Sequence, residues 1–354
     1  MRLIRVKTLH SKHQIFLTVI AVAIFLLPKG QNLVNIESAS QQFKVGFPFE
    51  TNLNQFDPAR VQLAGQYALL ENLYTPLLLQ DNEGRVIPGV AAKFHWVGDE
   101  IEFNIRADLV DSGGHPITVE DVYFSMMRLL VLGSSTHGDL KKLICPNTAP
   151  TRVNDHCSGI RIIDGKLRIR PTQKNFSIFK NFTSIDFAVV PRRAVSANNL
   201  KDLNLSITSG PYFIKERDSN GKIILGVNKS HFLYSKQMPQ DVVFVPTLNS
   251  KKTGLQLFEA GAIDFLSNLD QTDISERLDR YTNSDVATLS STLPVRLELI
   301  VFTSLGLKLP PERRWAIGNK IAAILNHQYA GKTGFQPAVQ YFPDGGAGKL
   351  PDDS

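Results

Sequence analysis

Few side chains in this sequence are arranged as catalytic groups. The nucleophile elbow G-x-S-x-G, the H-E-x-x-H zinc helix and the C-x-x-C pair are all absent from the sequence. Gly348-Lys349 imitates a phosphate-binding loop, but Pro343 replaces the first glycine of that motif and Leu350 replaces its Ser or Thr. The sequence therefore predicts that the protein is not an enzyme.

One pair of neighbouring side chains suggests acid–base chemistry. Asp111 and His115 lie in a turn that also contains Gly113 and Gly114. In such turns an aspartate side chain commonly accepts hydrogen bonds from its own backbone. We therefore favour a structural role for this pair over a catalytic one.

The two cysteines of the chain, Cys145 and Cys157, both lie in a stretch rich in Pro, Asn and Gly. In an oxidising compartment a local disulfide between them would close that loop. A metal site that also uses His156 is the alternative, although the usual C-x-x-C and H-x-x-x-H spacings are missing. The other histidines show no ligand spacing, so the sequence predicts neither a metal nor another cofactor.

Length and charge narrow the class of protein. With 354 residues, 43% hydrophobic and 20% charged, the chain is globular and can hold two ordinary domains or one bilobed domain. Its formal charge is +6, but residues 1–40 supply +4 through five Lys or Arg against Glu37. The remaining +2 argues against nucleic acid as the main partner.

The basic start is followed by residues 15–27, a run of 13 residues with Thr18 as its single polar member. A membrane-spanning helix needs roughly 17–25 residues, so the run fits a secretory signal within residues 1–40 better. An uncleaved membrane anchor is the alternative. Because Cys145 is the first cysteine, a lipid-modified cysteine directly after the signal is excluded. The prediction is a soluble periplasmic protein.

Residues 101–130 change their hydrophobic period in the middle. Apolar and polar residues alternate over 101–106, as in a strand with one buried and one solvent-facing side. A glycine-containing break follows, after which Thr118 and Asp121 form a capping-box pattern. The apolar spacing beyond it predicts a helix that begins at Val119 and packs one stripe against a core.

Turn and cap residues predict three further local structures. Asp164-Gly165 and Asn220-Gly221 are residue pairs that two-residue hairpin turns prefer. Residues 253–260 have the pattern of a helix that Gly261 would end.

The stretch of residues 101–130 resembles the signature of the family 5 extracellular solute-binding proteins, the peptide and nickel receptors of ABC importers. Two positions depart from that signature: Gly113 stands where the family usually has Asp, and Asp111 where it usually has an aromatic residue. The matching positions are Arg106, Gly114, Pro116, Thr118, Asp121, Val122 and Arg128.

Further motifs of that family follow in its order over about residues 43–345. The resemblance implies an α/β fold of the periplasmic-binding-protein type II class, bilobed, with an incomplete second lobe. It places the main sheet of the first lobe in residues 41–60 and 190–295, an inserted subdomain in 61–189 and the start of the second lobe in 296–354. The motifs are Asp57-Pro58-Ala59, Asn72–Leu77, Pro88–Ala91 with Trp96, Thr208–Tyr212, Asn228–Phe232, Gly261–Asp264 and Arg314–Ile317.

The resemblance also implies where a ligand would bind. In the family, backbone groups and aromatic rings of the first lobe line a cleft, and charged residues of the second lobe hold peptide termini. Those charged anchors fall outside the matched part and are not carried over. A ligand held by main-chain contacts takes affinity from strand edges and selectivity from side-chain pockets. The implied ligand-binding residues are Phe49, Ser209, Gly210, Tyr212, Pro246 and Thr247.

The sequence thus predicts the periplasmic solute-binding component of an ABC import system, with an oligopeptide as the expected solute. Its expected partners are that solute and the membrane permease of the importer, and a monomer is expected. The alternative is a truncated or degenerate paralogue with a scaffold or sensor role, or with no ligand-binding role. A membrane-anchored form would require residues 15–27 to stay uncleaved.

Overall fold

The computed structural model describes residues 42–47, 56–61, 64–81, 83–133, 138–146, 150–175, 178–219, 221–248, 250, 252–266 and 306–329. The chain divides into two compact units. One unit comprises Phe16–Asn268, and the other comprises Met1–Ile15 with Leu269–Ser354. The predicted signal and the predicted site residue Phe49 lie outside the described residues.

The larger unit contains a mixed five-stranded sheet, which we call the main sheet. Its order is β11-β1-β10-β9-β8, with β1 parallel to both of its neighbours and the other pairs antiparallel. Parallel neighbours require a crossover connection. Here that connection is very long, because the first strand pairs with strands about 200 residues further along the chain. The strands are β1 (Gln42–Phe47), β8 (Tyr212–Arg217), β9 (Ile223–Val227), β10 (Asp241–Pro246) and β11 (Phe265–Leu266).

One hydrophobic cluster covers the main sheet. Helix α1 (Ala64–Leu73) contributes Leu69, Leu70 and Leu73, each with no exposed surface. They pack with side chains from β1, β8, β9 and β10, including Phe47 and Phe244, whose rings meet edge to face at 5.2 Å. The short helix α5 (Gly254–Glu259) connects β10 to β11.

A second sheet has its own core. Four antiparallel strands lie in the order β4-β5-β7-β6, and helix α2 (Val119–Leu132) packs its apolar stripe against them. Val122, Met126, Met127 and Leu130 of that stripe are buried, as the spacing predicted. The elements are β2 (Leu78–Gln80), β3 (Val86–Pro88), β4 (Ala91–Val97), β5 (Glu100–Ile105), α3 (Gly138–Ile144), β6 (Ile160–Ile163), β7 (Lys166–Ile169) and α4 (Ile178–Asn181); β2 and β3 form a separate hairpin.

The prediction that the polar residues of strand β5 face solvent was wrong for Glu102. Glu100 and Glu102 are as buried as Ile101 and Phe103, with exposed fractions of 5% and 3%. Basic side chains of β6 and β7 lie over both carboxylates and bind them. Hydrogen bonds from Lys166 and Arg168 lower the pKa of Glu102, against the effect of its burial.

The predicted turn and cap structures are confirmed where they are described. Asp164 and Gly165 both have positive φ, 49° and 70°, between the paired residues Ile163 and Lys166. The Thr118 amide donates to Asp121 Oδ2 at 2.9 Å, which satisfies a free donor where α2 begins. Gly261 ends α5 with φ 67°.

The turn of residues 111–116 shows how the chain accommodates its departures from the family signature. Asp111 is buried, and its Oδ1 accepts hydrogen bonds from the amides of Gly113 at 2.8 Å and His115 at 3.2 Å. Arg193 binds the same carboxylate through two nitrogens. A Cβ on Gly113 would lie 2.3 Å from Arg193 Nη2, so glycine leaves room for this ion pair.

These contacts confirm the structural reading of Asp111. Burial raises the pKa of Asp111, but hydrogen bonds from Arg193, His115 and Gly113 outweigh it and leave the pKa below its ordinary value. His115 Nδ1 lies 3.8 Å from Asp111 Oδ1, beyond hydrogen-bonding distance, and its side chain is exposed. The Asp111 carboxylate therefore stabilises the turn.

Cys145 and Cys157 form the predicted disulfide, and both side chains are buried in the core of the second sheet. The bond joins the end of α3 to the loop before β6, across a sequence separation of 12.

We expect a Cys145→Ala/Cys157→Ala variant to lose about 3 kcal/mol of unfolding free energy, the loop-closure value for this loop length. Urea denaturation with and without a reductant measures the loss. Reduction should destabilise the wild type to a similar degree and leave the double variant unchanged. A wild type that is insensitive to reductant in its unfolding midpoint would contradict the prediction.

The smaller unit contributes one described α-helix, α6 (Pro311–Tyr329), which contains the predicted helix that begins near Arg314. Its side chains are largely exposed, including Trp315 at 72% and Ile324 at 57%. Among the described helices of the chain, none is both long and apolar enough to cross a membrane.

Candidate ligand-binding edge

The carboxyl ends of three main-sheet strands meet at one edge. Strands β1, β10 and β11 run in the same direction, with Phe47 opposite Pro246 and Gly46 opposite Leu266. The Thr247 amide extends the ladder by donating to Phe47 O at 2.9 Å. In open α/β sheets, ligands bind outside the carboxyl ends of the strands. We call this place the carboxyl edge.

Gly46 fits the close packing of the carboxyl edge. A Cβ at this position would lie 2.6 Å from Ile263 Cδ1 and 3.0 Å from Leu266 Cδ1. Below it, the Asp264 carboxylate accepts a hydrogen bond from the Lys44 amide at 3.0 Å, and the Asp264 amide donates to Lys44 O at 2.8 Å. Backbone and side chain thus both fix β11 beside β1.

The predicted ligand-binding residues fall into two places. Pro246 and Thr247 are half-buried at the carboxyl edge, where the resemblance put them. Ser209, Gly210 and Tyr212 lie in a buried junction between the end of α1 and the start of β8. Whether any of these residues contacts a ligand stays a prediction.

The buried junction uses its polar groups within the protein. Ser209 Oγ donates to Val189 O and accepts from the Thr75 amide at 3.1 Å. The Gly210 amide donates to Leu73 O at 2.9 Å, and a Cβ on Gly210 would lie 2.5 Å from the Leu73 carbonyl carbon. Tyr212 has no exposed surface and its hydroxyl donates to Pro239 O at 3.2 Å. These residues fix the start of β8.

His231, which sequence spacing did not single out, completes this junction. The Leu233 amide donates to His231 Nδ1 at 3.2 Å, so Nδ1 carries no proton and Nε2–H donates to Thr75 Oγ1 at 2.9 Å. The Thr75 hydroxyl in turn donates to Ser209 O at 3.2 Å. Burial, and secondarily the charge of Arg106, lowers the pKa of His231 to about 3.

A second polar contact missed by sequence reasoning is the buried pair of Asp57 and Arg128. The guanidinium donates to both carboxylate oxygens at 2.7 and 2.8 Å, and both side chains are at most 2% exposed. Arg128 also donates to Leu200 O, while Asp57 accepts from the Ala59 amide at 3.0 Å. The pair joins α2 to two distant segments. Both residues lie in family motifs, but neither motif indicated that they meet.

The chemistry available at the carboxyl edge is that of binding. It offers strand-end backbone groups, the Thr247 hydroxyl and the apolar side chains of Leu248 and Leu266. Within the described ranges, no three His, Cys, Asp or Glu side chains come together in a way that could hold a metal ion.

Known proteins match this chain in sequence and in fold. The profile of the bacterial extracellular solute-binding proteins, family 5 Middle, matches residues 85–303. The periplasmic murein peptide-binding protein MppA of Escherichia coli is 25% identical over 311 residues, covering 84% of this chain and 56% of MppA. The periplasmic oligopeptide-binding protein OppA of Escherichia coli is 22% identical and covers 67% of this chain and 45% of OppA.

Solved structures agree on the fold. The Escherichia coli murein tripeptide binding protein MppA superposes with a TM-score of 0.60 at 21% identity, over 69% of this chain and 49% of that one. An oligopeptide-binding protein from Borrelia burgdorferi gives a TM-score of 0.56 at 21% identity, over 66% of this chain and 48% of that one. The chain spans about half the length of the relatives that it matches.

These matches confirm the resemblance seen in the sequence, and the mixed α/β fold is that of the type II periplasmic binding proteins. The family profile covers more than half of the chain and includes α2, all four strands of the second sheet and the main-sheet strands from β8 onward. The chain belongs to the bacterial extracellular solute-binding proteins of family 5.

Proposed function

We propose that this protein binds a peptide at the carboxyl edge, as the periplasmic solute-binding component of an ABC import system. The observation that carries the proposal is that β1, β10 and β11 end together, with Pro246 and Thr247 at that place. In open α/β sheets, ligands bind in the crevice outside the carboxyl ends of the strands.

The kind of group present at the carboxyl edge supports a peptide over a charged small molecule. β11 is the edge strand of the main sheet, and the backbone amides and carbonyls of an edge strand can pair with an extended main chain whatever its sequence. Leu248, 45% exposed, and the half-buried Leu266 add apolar surface beside them. The relatives named above bind murein peptide or oligopeptide, and an OppA of Haemophilus influenzae was solved with the peptide RPPGFSPFR.

The buried junction supports the proposal indirectly. Ser209, Gly210 and Tyr212 fix the start of β8, which pairs with β9 and through it with β10. We infer that they act by positioning the strand that ends at Pro246. Phe49, two residues beyond β1, remains part of the proposed ligand-binding set. No catalytic role is proposed for any of these residues.

A peptide mixture tests the proposal directly. A ligand that binds only the folded protein raises its stability by about 2.7 kcal/mol at a hundred times its dissociation constant. We expect a saturable rise of the melting temperature with short peptides, and calorimetry then gives the dissociation constant. A melting temperature that no peptide in the mixture changes would sink the proposed function.

A substitution at the carboxyl edge locates the site. We expect Thr247→Arg to weaken peptide binding at least about tenfold, which corresponds to 1.4 kcal/mol of lost contact, because the long side chain occupies the space beyond the strand ends. Calorimetric titration measures the change. Thr172→Arg, at an exposed position of the second-sheet region, is the matched control and should bind like the wild type. Equal weakening in both variants would place the site elsewhere.

A further inference from the structure

The outward side of the second sheet is basic, and we call it the basic face. Cross-strand register places its residues in rows, such as His95, Glu102, Arg168 and Arg161 on β4, β5, β7 and β6. The opposite side of the same strands carries the aromatic and aliphatic residues of the core. The side chains of the basic face are Lys93, His95, Val97, Glu100, Glu102, Asn104, Arg161, Ile163, Lys166, Arg168 and Arg170.

On the basic face, the acidic groups are covered and the basic groups are exposed. The side chains of Glu100 and Glu102 are only 7% and 4% exposed. The cations that bind them stay accessible: Arg170 is 56% exposed, Arg161 46% and Lys166 40%. The carboxylates therefore act as an inner layer that fixes the guanidinium groups, while the outer layer offers N–H donors to solvent.

The basic face also concentrates the charge of the chain. Five Lys or Arg against two Glu give it an excess of +3, while residues 41–354 as a whole carry +2. Asp99 and Asp164 lie in the two turns at the ends of the sheet, and Lys174 lies near Asp99, donating to Gly98 O at 2.9 Å. Lys93 makes no ion pair with any described residue. With Asp99, Asp164 and Lys174 counted, the excess is +2, as large as that of residues 41–354 together.

Shape and side-chain type indicate what kind of surface would match. Neighbouring strands lie about 4.8 Å apart, so the basic groups form a broad array across the four strands. Three of the five cations are arginines, whose planar guanidinium binds phosphate oxygens in pairs. Protein interfaces usually depend on aromatic anchors, but Phe94 and Trp96 point to the core side of β4. An array of phosphate groups therefore matches the basic face better than a protein surface does.

We propose that the basic face adsorbs to the anionic headgroups of a phospholipid bilayer. The interaction is electrostatic, so it weakens as salt rises, and each cation near such a surface contributes about a fivefold gain in partitioning. The basic face lies apart from the carboxyl edge, on the other sheet, so adsorption and solute binding use different residues.

Lysine footprinting on the full chain tests the proposal, whatever residues 1–40 contribute to vesicle binding. The protein is acetylated with and without vesicles of phosphatidylglycerol and phosphatidylcholine, or of phosphatidylcholine alone. We expect the anionic vesicles to protect Lys93 and Lys166, and to leave Lys236, exposed in the loop before β10, reactive. Equal reactivity of Lys93 with both vesicle types would overturn the proposal.

Charge variants provide the second measurement. Lys93→Glu/Arg170→Gln removes three charge units and leaves Glu100 bound to Arg161, so the sheet keeps its inner layer. We expect its partitioning to anionic vesicles to fall about a hundredfold, and that of the control Lys236→Glu to fall no more than fivefold. Losses that follow only the charge removed, about 125-fold for three units and about 25-fold for the two units of Lys236→Glu, would mean that net charge alone acts and would overturn the proposal. Binding to poly-glutamate but not to vesicles would point to an acidic protein instead and overturn the proposal.

Discussion

Replacing Arg128 by Met is expected to lower the free energy of unfolding by about 3–5 kcal/mol. Removing one partner of a buried ion pair leaves the other charge without compensation, and Asp57 is 1% exposed. The Leu200 carbonyl would lose both of its hydrogen bonds from Arg128 as well.

Urea denaturation of four variants, namely Arg128→Met, Asp57→Asn, their combination and Arg85→Met, measures this effect. Arg85→Met is the control, because Arg85 pairs with Asp81 on the surface, where its side chain is 68% exposed, and it should unfold like the wild type. The double variant Asp57→Asn/Arg128→Met should cost less than the sum of the two single changes, since no charge stays buried. Additive losses would mean that Asp57 and Arg128 stabilise the fold independently.

Acidification is expected to destabilise the protein through His231, over a pH window that starts well above the carboxylate range. Its folded pKa of about 3 lies below the ordinary value of 6.5, so the unfolded chain takes up the proton first. Stability contributed by neutral His231 is therefore complete above pH 6.5 and lost as pH falls toward 3. The slope of the unfolding free energy against pH approaches about 1.4 kcal/mol per pH unit, and the total loss of unfolding free energy is about 4–5 kcal/mol.

Unfolding free energies between pH 7 and 5 isolate this contribution, because solvent-exposed carboxylates are still ionised there. The wild type should lose about 2 kcal/mol over this interval, and His231→Gln should lose little, whatever its stability at pH 7. His156→Gln, at an exposed position, should follow the wild type. A His231→Gln variant that keeps the full pH dependence would assign it to other groups.

Structural features that depend on residues close together in the sequence were predicted correctly. The Asp164-Gly165 turn, the start of α2 at Val119 and the glycine end of α5 all depend on residues within four positions of one another. Backbone preference and capping decide such features, and both can be seen in a short window of sequence. Ordered motifs of this kind also identified the family.

Features that depend on distant partners could not be derived in this way. The alternation around Glu102 predicted a wet side, since the strand itself does not show that Lys166 and Arg168 will cover it. In the same way, nothing near Thr75 indicates that His231 will bind its hydroxyl. Likewise, no local signal in residues 208–212 showed that their side chains make hydrogen bonds inside the protein, and ligand contact by these residues stays a prediction.

The parallel pairing of β1 has a consequence for the order of folding. Both partners of β1, which are β10 and β11, come about 200 residues later in the chain. Forming such contacts requires the closure of a very long loop, which is slow. The second sheet, in contrast, is complete within residues 91–169 and can form while the rest is still emerging. During vectorial synthesis or export, β1 therefore waits unpaired until β10 arrives, and the carboxyl edge is among the last features to be assembled.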